Sequence, residues 1–139
     1  MRLQALALIA GLAGVGVSIY LTAEHYAGFA LACPSGAVVN CEQVLSSSYA
    51  VVGGSAVPTS AAGILWFVVS AAITIAILAG LPWLRAQVVW SSIGMLTVLY
   101  LVFVEIVRLG AVCVWCTAAH VLVLAIFTVS LTSSLRSES

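Results

Sequence analysis

The sequence contains no lysine and no aspartate, and its only charged residues are four arginines and four glutamates, 6% of the 139 residues. A soluble domain usually carries about a quarter charged residues, so this chain cannot build a surface that faces water throughout. The formal net charge is zero and no basic run occurs, which argues against nucleic acid as a partner. With 64% apolar residues, the composition indicates a protein that resides in the lipid bilayer.

The apolar residues are concentrated in four long segments. They cover about residues 3–23, 61–80, 86–107 and 112–131, and each is close to the roughly 20 residues that a membrane-spanning helix needs. We therefore expect an all-α integral membrane protein, a bundle of four transmembrane helices that forms one domain over residues 1–139. Residues 24–60 form the long outer loop, in which Asn40 followed by Gln43 predicts the start of a short helix.

The arginines predict how the chain is oriented. Arg2, Arg85 and Arg136 fall on one side of the four spans, and Arg108 falls on the other. Because positive residues concentrate on the cytoplasmic side, we expect a multi-pass protein of the inner or plasma membrane with both termini in the cytoplasm. The long loop and all four cysteines would then lie on the extracytoplasmic, oxidising side, where disulfides persist.

The cysteines form two pairs. Cys113 and Cys116 make a CxxC motif at the start of the last span, where a helix N-terminus stabilises a thiolate and both sulfurs share a face, as is typical of a redox centre. Cys33 and Cys41 lie in the loop, and a second pair within reach would allow one disulfide to oxidise the other. The residues leave the pairing open. A static structural disulfide and a four-cysteine zinc site are the alternatives, but the spacing is atypical of zinc and we expect no metal.

Two ionisable residues lie near the CxxC motif. His120 comes one turn after Cys116 on the same face, where it could bond or protonate an oxygen of a membrane quinone, the apolar electron acceptor available to thiols at this depth. The alternative is a histidine bonded to a neighbouring helix. Glu105 lies three residues before Arg108, which is typical of an ion pair at a helix end, and a role close to the quinone is the other interpretation. The four tryptophans are typical of bilayer anchors or packing residues.

Several motifs combine along the chain: Cys33-x₇-Cys41, Val44-Leu45-x-Ser47, Val57-Pro58-x₄-Gly63, and Tyr100-x₄-Glu105-x₇-Cys113-x₂-Cys116. Together they resemble the bacterial homologues of vitamin K epoxide reductase over nearly the whole chain. The resemblance implies a four-helix bundle around a quinone pocket that the outer loop caps. It also implies that the loop cysteines accept electrons from a thioredoxin-fold (DsbA-like) protein acting in trans, that Cys41 exchanges with Cys113, and that Cys116 reduces the quinone, either menaquinone or ubiquinone.

The same resemblance indicates which residues surround the quinone. Ser47 occupies the position of a serine that is a family feature. His120 stands where vertebrate members carry a tyrosine, and Thr59, with Ser60 beside it, stands where they carry an asparagine. The candidate quinone-binding residues are therefore Ser47, Thr59, Ser60, Glu105 and His120.

The function predicted from these features is that of a membrane thiol:quinone oxidoreductase, which reoxidises a disulfide-forming partner and passes its electrons to a quinone. Two alternatives remain. One is a reductase of vitamin K epoxide or quinone that draws its electrons from thiols. The other is a non-enzymatic membrane protein with a structural disulfide or a bound metal.

Overall fold

Helices account for most of the structure. The structure is a computed structural model that describes residues 2–138, so the two ends of the expected domain, residues 1 and 139, lie outside it. The helices are α1 (Arg2–Ala27), α2 (Cys41–Leu45), α3 (Thr59–Leu78), α4 (Leu84–Phe103) and α5 (Val114–Glu138). A π-helical turn, Val104–Leu109, continues α4.

The four long helices are each long and apolar enough to cross a membrane. No β-strand occurs between residues 2 and 138, and the short helix α2 lies within the long loop. The predicted fold class, a bundle of four transmembrane helices with a short helix in the loop, is therefore confirmed.

The helix ends differ from the predicted spans. The first helix continues through Ala27, four residues beyond the predicted end at 23. The second long helix begins at Thr59, because the carbonyl of Pro58 already accepts the N–H of Ala61 at 2.9 Å and closes the first turn. The last helix begins at Val114 rather than at 112, because the backbone of Val112 pairs with the loop instead.

The long helices form a closed ring. Helix α1 packs against α3 and α5, and α4 packs against α5 and, less extensively, against α3. The buried side chains at the centre of the bundle come from all four helices: Ala10, Phe67, Val98, Val123 and Ile126. Helix α1 approaches α3 closely at Gly14, where an added methyl group would overlap the ring of Phe67.

A polar cluster joins the four long helices at the end of the bundle that is remote from the CxxC motif. The amides of Gln4 and Gln87 donate to each other, at 3.1 and 3.0 Å. Gln4 also donates to Ser133 (3.2 Å) and Gln87 to Thr74 (3.0 Å). Polar side chains inside a membrane bundle are tolerated when their partners lie on neighbouring helices, so this cluster ties the helices together where the core is otherwise apolar.

The loop between α1 and α3 is held on the bundle by backbone pairing. The N–H of Val112 donates to the carbonyl of Val38 at 2.9 Å, and the N–H of Asn40 donates to the carbonyl of Val112 at 3.1 Å. The Asn40 side chain caps α2 by accepting the N–H of Gln43 (3.0 Å), as predicted. The Gln43 side chain does not return to Asn40, however, but donates to the carbonyl of Leu109 (3.0 Å), which adds a second link between the loop and the end of the π-helical turn.

We predict that Gly14→Ala destabilises the bundle. The new methyl group would force the Phe67 ring, which is 2% exposed, out of its place, and overpacking of this kind costs about 1–3 kcal/mol. Gly16→Ala is the matched control, because nothing lies within 4 Å of that position and alanine has the higher helix propensity. Thermal denaturation in detergent should give Gly14→Ala a lower midpoint than the parent and Gly16→Ala an equal or higher one. A midpoint for Gly14→Ala at or above that of Gly16→Ala would contradict the packing.

Candidate redox centre and its cavity

The structure brings the four predicted cysteines together. Cys33 and Cys41 form a disulfide with their Cα atoms 6.3 Å apart, while Cys113 and Cys116 are free thiols. Cys41 and Cys113 are both buried in one apolar cluster with Val44 and Ala111. Cys33 and Cys116 pack against the same cluster from its edge. A loop disulfide and a dithiol therefore lie side by side, as disulfide exchange requires.

This juxtaposition results from the pairing of the loop with Val112. Asn40 and Val112, which bond to each other, immediately precede Cys41 and Cys113 in the sequence. The two cysteines therefore begin from neighbouring points of the backbone. Sequence reasoning did not predict this pairing, because an isolated bridge between Val39 and Val112 is too short to give the alternating pattern of a strand.

Cys113 lies immediately before α5 and its side chain is 0% exposed. The thiol of Cys116 donates a hydrogen bond to the sulfur of Cys113, and the backbone N–H of Cys116 donates to the same atom at 3.3 Å. These hydrogen bonds favour the charged form, so they lower the pKa of the Cys113 thiol in spite of its burial. The backbone N–H acts at the N-terminus of a long helix, where negative charge is stabilised.

Glu105 is turned towards Cys113 by the π-helical turn that ends α4. Its carboxylate, which is 6% exposed, accepts the backbone N–H of Cys113 at 3.3 Å. No ion pair between Glu105 and Arg108 occurs in the described part of the chain, so the interpretation of Glu105 as half of a helix-end ion pair is not observed. The extra residue of a π-helical turn changes the direction of the side chains after it, a feature frequent at functional sites. The spacing of Glu105 and Arg108 gave no signal for it.

A cavity of about 280 Å³ lies inside the bundle next to this centre. Side chains of α1, α3, α4, the π-helical turn and α5 line it, together with loop residues around Tyr49 and Pro58. Cys116 faces the cavity, whereas Cys113 is not among its lining residues. All five candidate quinone-binding residues line it as well: Ser47, Thr59, Ser60, Glu105 and His120.

The hydroxyl groups of the three candidates Ser47, Thr59 and Ser60 form hydrogen bonds with other groups of the protein. Ser47 donates to the carbonyl of Val44 at 2.7 Å, and Thr59 donates to the carbonyl of Tyr49 at 3.2 Å, which holds the loop on α3. Ser60 accepts from the hydroxyl of Thr22 on α1 at 2.9 Å. These three side chains therefore shape the cavity and hold the loop residues around Tyr49 that line it.

His120 is half-buried at the wall of the cavity. Its side chain makes no hydrogen bond to any residue between 2 and 138, so the alternative of a histidine bonded to a neighbouring helix is not observed. The ring nitrogens can both donate and accept hydrogen bonds, and they remain available to a molecule in the cavity.

Trp66 is a wall residue that sequence reasoning missed. Its indole N–H is buried and, within the described residues, has no hydrogen-bond partner. The indole edge lies against Gly94, where an added Cβ would collide with the ring. The neighbouring Trp90 is different, because its N–H donates to Ser70 at 3.0 Å. An unpaired buried donor costs about 1–3 kcal/mol. If the indole turned away from Gly94, its N–H could donate to an oxygen atom of a bound molecule, and that hydrogen bond would recover the cost.

The walls of the cavity suit an apolar molecule that carries oxygen acceptors. They are largely apolar, and Trp66 and His120 are unpaired polar groups beside the cavity. In the described chain, no group of three or more histidine, cysteine or acidic side chains could hold a metal ion. The four cysteines offer the chemistry of thiols and disulfides.

We predict that Cys116→Ala and Cys116→Ser differ in their effect on the pKa of Cys113. Serine keeps an O–H donor for the Cys113 sulfur and alanine removes it, so the pKa of Cys113 should be higher in the alanine variant and its thiolate should appear only at higher pH. The rate of alkylation by iodoacetamide, followed by mass spectrometry over a pH series, measures this. Cys33 and Cys41 are replaced by serine in both proteins, so that Cys113 is the one thiol present. Coincident pH profiles would show that the thiol hydrogen bond has no influence.

Comparison with known proteins gives a family match over most of the chain. The family model described as the vitamin K epoxide reductase family matches residues 5–131, which include all four cysteines and every candidate cavity residue. A search of curated proteins found no match. Members of this family are membrane oxidoreductases that act on quinone-type substrates. Because the match covers most of the sequence, the chain belongs to the vitamin K epoxide reductase family.

Proposed function

We propose that the protein is a membrane thiol:quinone oxidoreductase that reoxidises an extracytoplasmic thioredoxin-fold protein in trans. The observation that carries the proposal is the different placement of the two CxxC cysteines. Cys113 is buried beside Cys41 of the loop disulfide, whereas Cys116 faces the cavity. One cysteine is thus placed for exchange with the loop, and the other for a molecule inside the bundle.

The loop disulfide offers two unequal sulfurs to a partner. Cys33 is half-exposed, whereas Cys41 is 3% exposed. A thiolate attacks the sulfur that it can reach, so the partner forms its mixed disulfide with Cys33. The bond between Cys33 and Cys41 breaks in that step, and Cys41 is released as the thiolate.

The exchange then proceeds inside the apolar cluster. The Cys41 thiolate attacks the Cys113 sulfur of an oxidised CxxC pair, which forms a Cys41–Cys113 bond and releases Cys116 as the thiolate. The second thiolate of the partner attacks its own sulfur in the mixed disulfide and frees Cys33. Cys33 in turn attacks Cys41 and releases Cys113. The partner has lost two electrons, the loop disulfide is restored, and the CxxC pair is reduced, which is the state that the structure shows.

The residues around the cavity would hold the quinone, either menaquinone or ubiquinone. A quinone accepts two electrons and two protons, which is the oxidising equivalent of one disulfide. Cys116 presents its thiol to the cavity, while Trp66 and His120 offer hydrogen bonds to oxygen. Glu105 lies between the cavity and Cys113, where its carboxylate holds the backbone N–H of that residue. Ser47, Thr59 and Ser60 hold the loop residues around Tyr49 and helix α1 in place.

The orientation in the membrane is part of the same proposal. Four spanning helices return the chain to the side on which it began, so both termini share one side and the loop and the CxxC motif share the other. The arginine distribution assigns the termini to the cytoplasm, with the protein in the inner or plasma membrane as a single domain. The cysteines then meet partners on the oxidising side, where disulfide formation is needed.

We predict that Cys116→Ala abolishes quinone reduction. Purified protein in lipid is given a reduced thioredoxin-fold protein as the electron donor, and quinone absorbance is followed. The parent should turn over and Cys116→Ala should not, because no second thiol remains to close a disulfide against Cys113. Thr128→Ala, a substitution at an exposed position of α5 farther from the CxxC motif, should reduce quinone at the rate of the parent.

Equal rates in the parent and in Cys116→Ala would remove Cys116 from the mechanism. Reduction of vitamin K epoxide but of no quinone by the parent would favour the epoxide reductase alternative. A loop disulfide that never exchanges with any donor would favour the structural alternative.

We also predict that Cys41, rather than Cys33, exchanges with Cys113. The variant Cys33→Ser/Cys116→Ser retains Cys41 and Cys113, and mild oxidation should link these two quickly because both lie in the buried cluster. The matched variant Cys41→Ser/Cys116→Ser retains Cys33 and Cys113 and should link more slowly. Non-reducing peptide mapping by mass spectrometry measures both rates, and faster linking through Cys33 would reverse the assignment.

A further inference from the structure

The segment that carries the loop disulfide is held at both ends by residues on either side of Cys113. Its C-terminal end is held by Val112, through the backbone pairing with Val38 and Asn40. Its N-terminal end is held by Trp115, whose indole N–H donates to the carbonyl of Ala32 at 3.1 Å. Trp115 lies between the two CxxC cysteines, and Ala32 directly precedes Cys33. The motif thus bonds directly to the peptide next to the loop cysteine with which the partner reacts.

Ala32 has a second contact, through its backbone N–H. The N–H of Ala32 donates to the hydroxyl of Tyr20 on α1 at 3.3 Å. The Tyr20 ring in turn packs edge-on against the Trp115 ring, with the ring centroids 4.9 Å apart. Leu31 and Cys33 pack with Trp115 against the buried cysteine cluster. The backbone N–H and C=O of Ala32 are therefore both bonded by aromatic residues that pack against each other.

None of these contacts uses the sulfur atoms. When the bond between Cys33 and Cys41 is open, they form only in those conformations that hold Cys33 close to Cys41, so they favour these conformations over the ones in which Cys33 has departed. Reclosure of a disulfide depends on the effective concentration of the freed thiolate at the other sulfur. A segment anchored next to Cys33 keeps that concentration high, whereas an unanchored segment would let the thiolate diffuse away from Cys41.

We propose that Trp115 is a positioning residue that keeps Cys33 beside Cys41 while their disulfide is open. The inference rests on the proposed function, because it concerns the last exchange of that cycle. In that step the Cys33 thiolate attacks the Cys41 sulfur of the Cys41–Cys113 bond. A Cys33–Cys41 bond forms, the Cys41–Cys113 bond breaks, and Cys113 leaves as the thiolate, so no outside oxidant is needed. The residue inside the CxxC motif thus assists the chemistry of the other cysteine pair.

The test measures the loop disulfide alone. Cys113 and Cys116 are replaced by serine, and the Cys33–Cys41 disulfide is equilibrated with reduced and oxidised glutathione. Trp115→Phe keeps an aromatic ring and removes the N–H, so the equilibrium constant for closing the disulfide should fall about three- to tenfold, as expected for one hydrogen bond. Trp83→Phe is the matched control, since Trp83 is 48% exposed at the start of α4 and should leave the constant unchanged.

Two further variants test whether Tyr20 and Trp115 act together on Ala32. Tyr20→Phe removes the acceptor for the Ala32 N–H and should also lower the closing constant. Because both side chains bond the backbone of one residue, Ala32, the effect of Trp115→Phe/Tyr20→Phe should be smaller than the product of the single effects. A closing constant in Trp115→Phe equal to that of Trp83→Phe would overturn the proposal.

These measurements involve neither quinone nor partner, so their outcome is independent of the proposed function. With all four cysteines present, Trp115→Phe should in addition accumulate the Cys41–Cys113 species during turnover, as seen by acid quenching and peptide mapping. Turnover with no more of this species than in the parent would overturn the role of Trp115 in the cycle, even if the equilibrium test succeeded. A parent without turnover would refute the proposed function alone.

Discussion

The pairing of Val112 with the loop is the constraint on which the redox centre depends. Backbone hydrogen bonds join Val112 to Val38 and to Asn40. The residues that follow Asn40 and Val112 in the sequence are Cys41 and Cys113. Without that pairing the loop disulfide would be attached to the bundle only through side-chain contacts, which define the position of Cys41 relative to Cys113 less closely than a backbone bridge does. The side chain of Gln43, the indole of Trp115 and the apolar packing around Cys41 add to a placement that the backbone has already defined.

The interior of the bundle divides into two regions with different physical character. At one end the glutamine amides and their hydroxyl partners use hydrogen bonds to join the helices. At the other end, small residues and large rings leave a cavity, in which His120 and Trp66 have no partner in the described chain. A bilayer supplies no water to the hydrocarbon region, so unpaired polar groups are costly there. Their concentration around one cavity is the physical reason to expect a ligand with oxygen atoms at that place.

Much of this architecture could be predicted from the sequence, because apolar length and cysteine spacing report directly on spans and on redox pairs. The short helix α2 was also predictable, since Asn40 is a strong N-cap. The direction of Glu105 was not, because a π-helical turn leaves no mark on residue spacing. The role of Trp66 was hidden for a different reason. A tryptophan in a span looks like any packing residue until the positions of Gly94 and Ser70 show which indole N–H is paired and which is not.

The reciprocal bond between Gln4 and Gln87 has a consequence for how this sequence can change over time. Each amide satisfies the other, and a substitution at either position leaves its neighbour with an unmet donor and acceptor inside hydrocarbon. Loss of both together is less costly than loss of one, because no amide is then left buried without its partner, and only the hydroxyls of Ser133 and Thr74 each lose a donor. The two positions, 83 residues apart in the chain, should therefore be inherited as a unit, and a lineage that lost one glutamine would be under pressure to lose the other.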